Sequence, residues 1–169
     1  MNSHSIDQTP ATSSITFRPV GPDDDAFLLE LYASTRADEM RMVPWTAEQQ
    51  HAFVKTQFTA QQEHYQMKYP MANHEIILSS ERPVGHVYVA RLAEEIRIVD
   101  ITVMPRERNR GIGSFWLSRL LNEAGSTGKV VRIYVENFSP SLRLFERLRF
   151  KQVEEHGIHL LLEWSPNAS

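Results

Sequence analysis

The stretch RERNRGIGSFW, residues 106–116, separates an apolar strand-like run from a helix-like segment. Gly111 and Gly113 allow the backbone to approach a ligand closely. The first amides of the helix point outward, and the helix dipole favours negative charge there. Arg108 and Arg110 add attraction for an anion. The combination predicts a loop that binds a diphosphate where the helix begins.

Two other glycine-loop motifs fail at the same position. A P-loop requires a second glycine five residues after Gly111, followed by lysine and Ser/Thr, and a dinucleotide-binding GxGxxG motif requires its third glycine there. Trp116 occupies that position. The remaining alternative, that Gly111 and Gly113 only permit a turn, stays open at this point.

Composition limits the classes of function. The 169 residues are enough for one domain with a buried core. The 18 basic and 21 acidic residues give a net charge of −3, so we expect no nucleic-acid or membrane partner. The absence of cysteine excludes disulfides, thiolate zinc sites and a cysteine nucleophile. With no signal-peptide pattern and no long apolar run, the protein is expected to be cytoplasmic.

Hydrophobic periodicity and turn residues predict one mixed α/β domain in the order β α α β β β α β α β β. We expect residues 1–14 to be a mobile tail and residues 15–165 to be the domain. The predicted strands cover 15–20, 74–80, 84–92, 95–104 and 129–136, with a final hairpin in 150–164. The predicted helices cover 26–40, 46–65, 111–124 and 139–148. The unit from 95 to 136 should form a parallel crossover.

Several further details accompany these elements. Thr46 and Gln49 form a capping-box pattern, and Ser139-Pro140 is a typical helix start. Gly125 and Gly128 are predicted to end the third helix. Turns are expected over 81–85, at residues 93–94 and near residue 157.

Three segments together resemble one known family. ITVMPRERNRGIGSFWL at 101–117 is similar to the acyl-CoA-binding motif of the GCN5-related N-acetyltransferase (GNAT) superfamily, with Arg108, Gly111 and Gly113 at its motif positions. The resemblance extends to TFRPVGPDDDAFLLELY at 16–32 and RIYVENFSPSLRLFERLRF at 132–150. It follows the element order of the family over nearly the whole chain.

The resemblance implies a mixed, V-shaped sheet flanked by about four helices and splayed between strands four and five. Acetyl-CoA would lie in the gap as a co-substrate, with its pantetheine along strand four. The main chain near Thr102 and Val103 would stabilise the oxyanion, aimed by a bulge there. The implied cofactor-binding residues are Thr102, Val103, Arg108, Asn109, Arg110, Gly111, Ile112, Gly113, Ser114, Asn137 and Phe145.

The chain departs from the family pattern in its LFERLRF segment. Phe145 stands where the family has a tyrosine acid, and Arg149 replaces a glycine. The usual asparagine position falls on Phe138, with Asn137 one place early. Tyr134 or Tyr88 is a candidate substitute acid. Two functions therefore stay open: an active N-acetyltransferase, and an acyl-CoA-binding sensor or partner subunit that has lost turnover.

Acetyl transfer to an amine requires a group that removes the ammonium proton. Asp100, in the fourth strand, is the first candidate for the base or amine-binding carboxylate. A structural, hydrogen-bonded role for Asp100 is an equal alternative. Glu136, at the end of the fifth strand, is the second candidate.

The acceptor site should involve the helical region between strands one and two, and its predicted residues are Glu39, Trp45 and Tyr88. The favoured alternative is that the residues of this region simply cover the core. The acceptor is expected to be a primary amine of a small molecule or a protein. The seven histidines lack helical zinc-site spacing, so no metal is expected. The sequence does not decide the oligomeric state, and a homodimer is suggested only by analogy with the fold.

Overall fold

The computed structural model describes residues 14–167 and forms a seven-stranded mixed sheet in the order β1-β2-β3-β4-β5-β7-β6. The strands are β1 (Ile15–Pro19), β2 (Asn73–Ser79), β3 (Arg82–Arg91), β4 (Glu95–Val103), β5 (Val130–Glu136), β6 (Lys151–His156) and β7 (His159–Trp164). The helices are α1 (Asp25–Arg41), α2 (Ala47–Lys68), α3 (Ile112–Thr127) and α4 (Leu142–Arg147). The predicted element order and fold class are confirmed.

The main hydrophobic core lies between the sheet and helices α3 and α4. An apolar stripe of five residues on α3 faces this core, with Leu121 half-buried and the other four residues buried. Those four are Ile112, Trp116, Leu117 and Leu120. Phe145 of α4 contributes a ring that is 1% exposed. This packing fixes the start of α3 beside the end of β4.

Helix α1 packs on β3, and its buried residues Leu28 and Leu31 lie outside the main core cluster. Helices α1 and α2 therefore cover the other face of the sheet. The capping box that starts α2 is confirmed, because the Thr46 hydroxyl accepts a hydrogen bond from the Gln49 amide at 3.1 Å. The Gln49 side chain accepts one in return from the Thr46 amide.

Strands β4 and β5 run parallel but pair over only part of their length. The ladder begins at Glu95 and Val130 and ends at Ile98 and Ile133. Beyond that point β4 continues to Val103 on β3, while β5 continues on β7. The second half of β4 thus has a free edge, as the predicted splay requires.

A β-bulge at Val99 changes which face the end of β4 presents. Tyr88 is paired with Asp100 and Val89 with Ile98, so Val99 is the extra residue. The sequence prediction placed a bulge near Thr102 and was wrong about its position. Because side chains alternate along a strand, the bulge at Val99 decides the face on which Asp100 lies.

Several predicted boundaries differ from the structure. Helix α2 continues past 65 to Lys68, and α3 runs through Gly125 and ends at Gly128, whose φ is +70°. The N-cap of α4 is Ser141 rather than Ser139, because residues 139–141 form a separate turn in which the Leu142 amide donates to the Ser139 carbonyl.

Residues 1–13 of the predicted tail lie outside the described residues. The Ser14 carbonyl accepts a hydrogen bond from the Ser80 amide.

The turn between β2 and β3 is centred earlier than the predicted range 81–85. Ser80 and Glu81 both have positive φ, 48° and 67°, and β3 begins at Arg82. Two successive positive φ angles define a type I′ hairpin turn, a geometry for which Asn-Gly is the usual sequence. The sequence therefore predicted a turn between these strands but not its position or type.

Arg149 is held in a conformation that favours glycine. Its φ is +70°, directly after α4, and Phe150 N–H bonds back to the Phe145 carbonyl at 3.0 Å. We expect Arg149→Gly to raise the free energy of unfolding by about 0.5–1 kcal/mol, because the left-handed strain exceeds the entropy cost of glycine. Urea denaturation measures this change.

Arg147→Gly is the matched control, since Arg147 is the last residue of α4 and is exposed. Glycine there should lower the free energy of unfolding by up to about 1 kcal/mol. Equal destabilisation by both substitutions would show that Arg149 is not strained.

Candidate functional site

The loop between β4 and α3 exposes a row of unpaired amides. Asn109 and Gly111 adopt positive φ, 62° and 80°, on either side of Arg110. Within residues 14–167 the structure provides no hydrogen-bond acceptor for the amides of residues 109–114. Consecutive free amides at the start of a sixteen-residue helix are an arrangement that favours an anion, and diphosphate binding here stays a prediction. Ile112 contributes only its amide, because its side chain is buried in the core.

A buried carboxylate anchors this loop. Glu107, 4% exposed, accepts hydrogen bonds from Arg82 at 2.8 Å and from Arg110 at 3.1 Å. The Arg108 Nε donates to the Val103 carbonyl at 3.2 Å. Arg110, which sequence reasoning assigned to the anion, is thus already paired, whereas Arg108 joins the loop to the end of β4. No sequence motif pointed to Glu107.

The side chain at residue 113 would point toward α4. A Cβ built on Gly113 lies 3.4 Å from Leu144 Cδ2, so glycine allows close packing between α3 and α4. The amide of Gly113 stays available on the loop side. The Ser114 side chain is half-buried in the first turn of α3, next to these amides.

Asp100 lies on the free-edge portion of β4. Its side chain is 24% exposed, its Oδ1 accepts a hydrogen bond from the Thr102 hydroxyl at 3.0 Å, and its Oδ2 is 3.2 Å from His86 Nε2. Burial acts to raise the pKa of Asp100, but attraction to His86 and the two hydrogen bonds outweigh it, so the pKa lies below its ordinary value. Asp100 is thus a charged carboxylate at neutral pH.

Two histidines extend from this carboxylate across the sheet. His86 Nδ1 is 2.8 Å from His74 Nε2, and the His74 ring packs on Tyr88 with a centroid distance of 4.3 Å. The Tyr65 ring, from α2, lies 5.5 Å from that of Tyr88. Burial and the charge of Asp100 raise the pKa of Tyr65. No sequence pattern connected His86 with His74.

The pKa of His74 is lowered to about 4, because burial and the neighbouring His86 disfavour its charged form. The folded protein therefore keeps His74 neutral where the unfolded chain, with a histidine pKa of about 6.5, takes up a proton. We expect the free energy of unfolding to fall by about 1–2 kcal/mol between pH 7 and pH 5 from this group. Asp24, whose pKa is lowered to about 2 by Arg18, stays ionised in that range.

Urea titrations at the two pH values measure this loss of stability. His74→Gln should remove most of it, because glutamine does not titrate. His51→Asn, on the exposed part of α2, should leave the loss unchanged. An undiminished pH dependence in the His74 variant would assign the acid sensitivity to other groups.

The remaining predicted residues occupy different surroundings. Glu136 is half-buried at the end of β5, opposite His159, and the Asn137 amide donates to the Ile158 carbonyl at 2.7 Å. The Phe145 ring packs edge-on against Phe150 within the core. Its contact with a ligand stays a prediction, and in this structure the ring offers almost no surface.

The predicted acceptor residues do not form one cluster. Glu39 pairs with Arg36 at 3.0 Å on the surface of α1, and Trp45, 40% exposed, packs on Phe53. Tyr88 is 5% exposed and covered by His74 and Tyr65. Of the three, only Tyr88 adjoins the Asp100 region. Within the part of the chain that the structure describes, no His/Asp/Glu group is arranged to hold a metal.

Solved structures of other proteins share this fold. The PaiA N-acetyltransferase of Thermoplasma acidophilum, in complex with coenzyme A, matches with a TM-score of 0.68 at 15% identity, over 90% of this chain and 99% of that one. The ribosomal-protein-S18-alanine N-acetyltransferase of Escherichia coli matches with a TM-score of 0.62 at 14% identity, over 92% and 96%. A GNAT family acetyltransferase of Elizabethkingia anophelis with acetyl-CoA bound gives 0.57 at 17% identity, over 90% and 98%.

Sequence comparison agrees with the structural likeness. No curated protein matches the chain. None of the helices in residues 14–167 is long and apolar enough to cross a membrane. The sequence pattern of the acetyltransferase (GNAT) family matches residues 29–150, which is more than half of the chain. The predicted resemblance is therefore confirmed, and the chain belongs to the GNAT family of acetyltransferases.

Proposed function

We propose that the protein transfers an acetyl group directly from acetyl-CoA to a primary amine of a small molecule or a protein. The observation that carries this proposal is the free edge of β4 after Ile98, which ends beside the unpaired amides of residues 109–114. An extended pantetheine can add to such an edge as a strand does, and its diphosphate can accept from the amides. Family membership and neighbours that contain coenzyme A support the same ligand.

In the proposed reaction the amine nitrogen attacks the thioester carbonyl carbon. The nitrogen–carbon bond forms, the sulfur–carbon bond breaks, and coenzyme A leaves as a thiolate that takes a proton from water. Asp100 binds the incoming ammonium through its charge, and the ammonium loses one proton to water before its nitrogen attacks. Asp100 accepts a proton from the nitrogen as the new bond makes that nitrogen more acidic. A main-chain amide near Thr102 and Val103 stabilises the oxyanion.

The second candidate is a protein that binds acyl-CoA without turning it over. The burial of Phe145 favours it, because the ring at the position of the family's tyrosine acid is 1% exposed and carries no hydroxyl. Both candidates require acyl-CoA binding. They differ in whether coenzyme A thiol is released when an amine is present.

Two serine substitutions in α3 test the ligand site. Ser114→Glu places a carboxylate in the first helical turn, where it competes with a diphosphate for the free amides, and we expect acetyl-CoA binding to weaken at least about tenfold. Ser118→Glu adds the same charge one turn later on the exposed surface and should change affinity less than about twofold. Isothermal titration calorimetry with acetyl-CoA measures both.

Thiol release with n-butylamine, benzylamine and a lysine-containing peptide then separates the two functions. Binding with turnover supports the transferase. Binding with no release for any of these amines favours the acyl-CoA-binding protein. An absence of binding at millimolar acetyl-CoA, or equal weakening by the two glutamates, would contradict both candidates.

A further inference from the structure

A continuous hydrogen-bonded chain crosses three neighbouring strands and ends at the splay. It runs from His74 on β2 to His86 on β3 at 2.8 Å, and from His86 to Asp100 on β4 at 3.2 Å. Each contact joins side chains on the face covered by α1 and α2. The chain therefore connects the proposed amine-binding carboxylate to the strand two positions away.

The charge of Asp100 constrains the direction of the bonds in this chain. An ionised carboxylate only accepts, so His86 Nε2 must carry the hydrogen that lies between them. If His86 carries that hydrogen alone, its Nδ1 only accepts, and His74 Nε2 then carries the hydrogen of the second bond. In that arrangement both imidazoles are the Nε2–H tautomer, whereas a doubly protonated His86 would reverse the second bond and leave the hydrogen of His74 on Nδ1.

His86 cannot act on a substrate itself. His86 is 5% exposed and both of its ring nitrogens are already paired. Asp100, 24% exposed, is the end of the chain that lies on the free-edge portion of β4. Any influence of His86 on catalysis must pass through Asp100, and His74 is joined to Asp100 only through His86.

The other groups around the chain are consistent with an ionised Asp100 and a neutral His74. The Thr102 hydroxyl holds Asp100 Oδ1, and Tyr65 faces Asp100 from α2 without a hydrogen-bond partner among the described residues. Asp24 and Asp100 both attract a proton toward His74, but burial and His86 act against it and prevail. His74 is thereby kept neutral, as the direction of the chain requires.

The geometry disfavours a metal between the two rings. Two nitrogen ligands of a tetrahedral zinc lie about 3.3 Å apart, with bonds of about 2.0–2.1 Å. The facing nitrogens of His74 and His86 are 2.8 Å apart, which is a hydrogen-bond distance.

We propose that His86 and His74 are positioning residues that hold Asp100 ionised and aimed at the acceptor amine, through a one-directional chain of Nε2–H donors. The inference rests on the proposed function for the role of Asp100. The tautomers that it requires do not depend on turnover. The tautomer assignment and the proposed function can therefore fail separately.

Nitrogen NMR of the full chain labelled with ¹⁵N-histidine tests the tautomers directly. At pH 7 we expect His74 and His86 each to carry hydrogen on Nε2 alone, and Asp100→Asn to remove this single-tautomer state, because an asparagine can also donate. Hydrogen on Nδ1 of either ring, or tautomers unaffected by Asp100→Asn, would overturn the inference.

Kinetics test the functional part. In His86→Asn we expect the acid limb of the kcat/KM profile to move to higher pH by about one unit, because Asp100 loses a donor that favours its charged form. kcat should fall about tenfold at neutral pH while the KM for acetyl-CoA stays constant. His74→Gln should shift the limb in the same direction by less, and it serves where the His86 variant does not fold.

His51→Asn is the control and should leave the profile unchanged. A uniform loss of activity in the two variants, with an unmoved acid limb, would reduce the chain to a structural role and overturn the proposal. Absence of turnover in the unmodified protein would instead contradict the proposed function, and the NMR result would still decide the tautomers.

Discussion

Replacing Gly85 by alanine is expected to destabilise the protein by about 3 kcal/mol or more, which lowers the melting temperature by roughly 6–12 °C. A Cβ at this position would lie 2.4 Å from the Thr102 carbonyl oxygen and 3.1 Å from Val103 Cα. Both atoms belong to the backbone of β4, so no side-chain rotation relieves the clash. The strand must move away from β3 at the point where it borders the proposed acetyl-CoA site.

Gly125→Ala makes the same chemical change without the clash. Gly125 lies inside α3, and its added Cβ would approach only Trp164 Cη2, at 3.9 Å. We expect a stabilisation of up to about 1 kcal/mol there, because alanine is the better helix former. Thermal and urea unfolding of the two variants measure the contrast. A loss below about 1 kcal/mol in Gly85→Ala would show that β4 tolerates the displacement.

Features that depend on residues close together in the sequence were predictable. The capping box at Thr46 depends on residues three apart, and the apolar stripe of α3 repeats with the helical period. Gly111 was predicted to support a close backbone approach, and its φ of 80° shows why glycine occurs there. Each of these features depends on residues that are near one another in the sequence.

The arrangement around Asp100 was not predictable from local pattern, because two bulges determine it. A regular hairpin from the β3–β4 turn would pair Asp100 with Val87, which faces the main core. The bulge at Val99 pairs it with Tyr88 instead and moves it to the face of His86. A second irregularity, between Ile77 and Leu78, shifts the pairing of β2 with β3 by one residue. A one-residue shift reverses every side chain, so the histidine chain depends on both.

Glu107 was missed for a different reason. A glutamate among arginines in a surface-like sequence is typical of a solvated loop, yet here it is 4% exposed between Arg82 and Arg110. Its partner Arg82 comes from the start of β3, 25 residues earlier in the chain. Only the tertiary fold brings them together. The two ion pairs of Glu107 hold the loop that carries the amides of 109–114.

Asp100→Asn is expected to lower kcat/KM for an amine acceptor by about 10²–10³, with the dissociation constant of acetyl-CoA changed less than about twofold. The amide keeps the shape of the side chain but loses the charge that binds an ammonium and the lone pair that accepts its proton. Because the acetyl-CoA contacts are proposed for the amides of 109–114 and the edge of β4, co-substrate binding should survive. Stopped-flow thiol release and calorimetry separate the two quantities.

Glu136→Gln and Glu154→Gln complete this comparison. Glu136, at the end of β5, is the second candidate for the base. If Glu136→Gln lowered kcat/KM as much as is expected for Asp100→Asn, Glu136 would be the base instead. Glu154 pairs with His156 on the exposed edge strand β6, and its replacement should leave the rate unchanged. If Asp100→Asn retained full activity while Glu136→Gln lost it, Asp100 and its two histidines would be structural. If only the Asp100 variant fails, the free edge of β4 carries both the co-substrate and the carboxylate, and the bulge at Val99 is what brings them together.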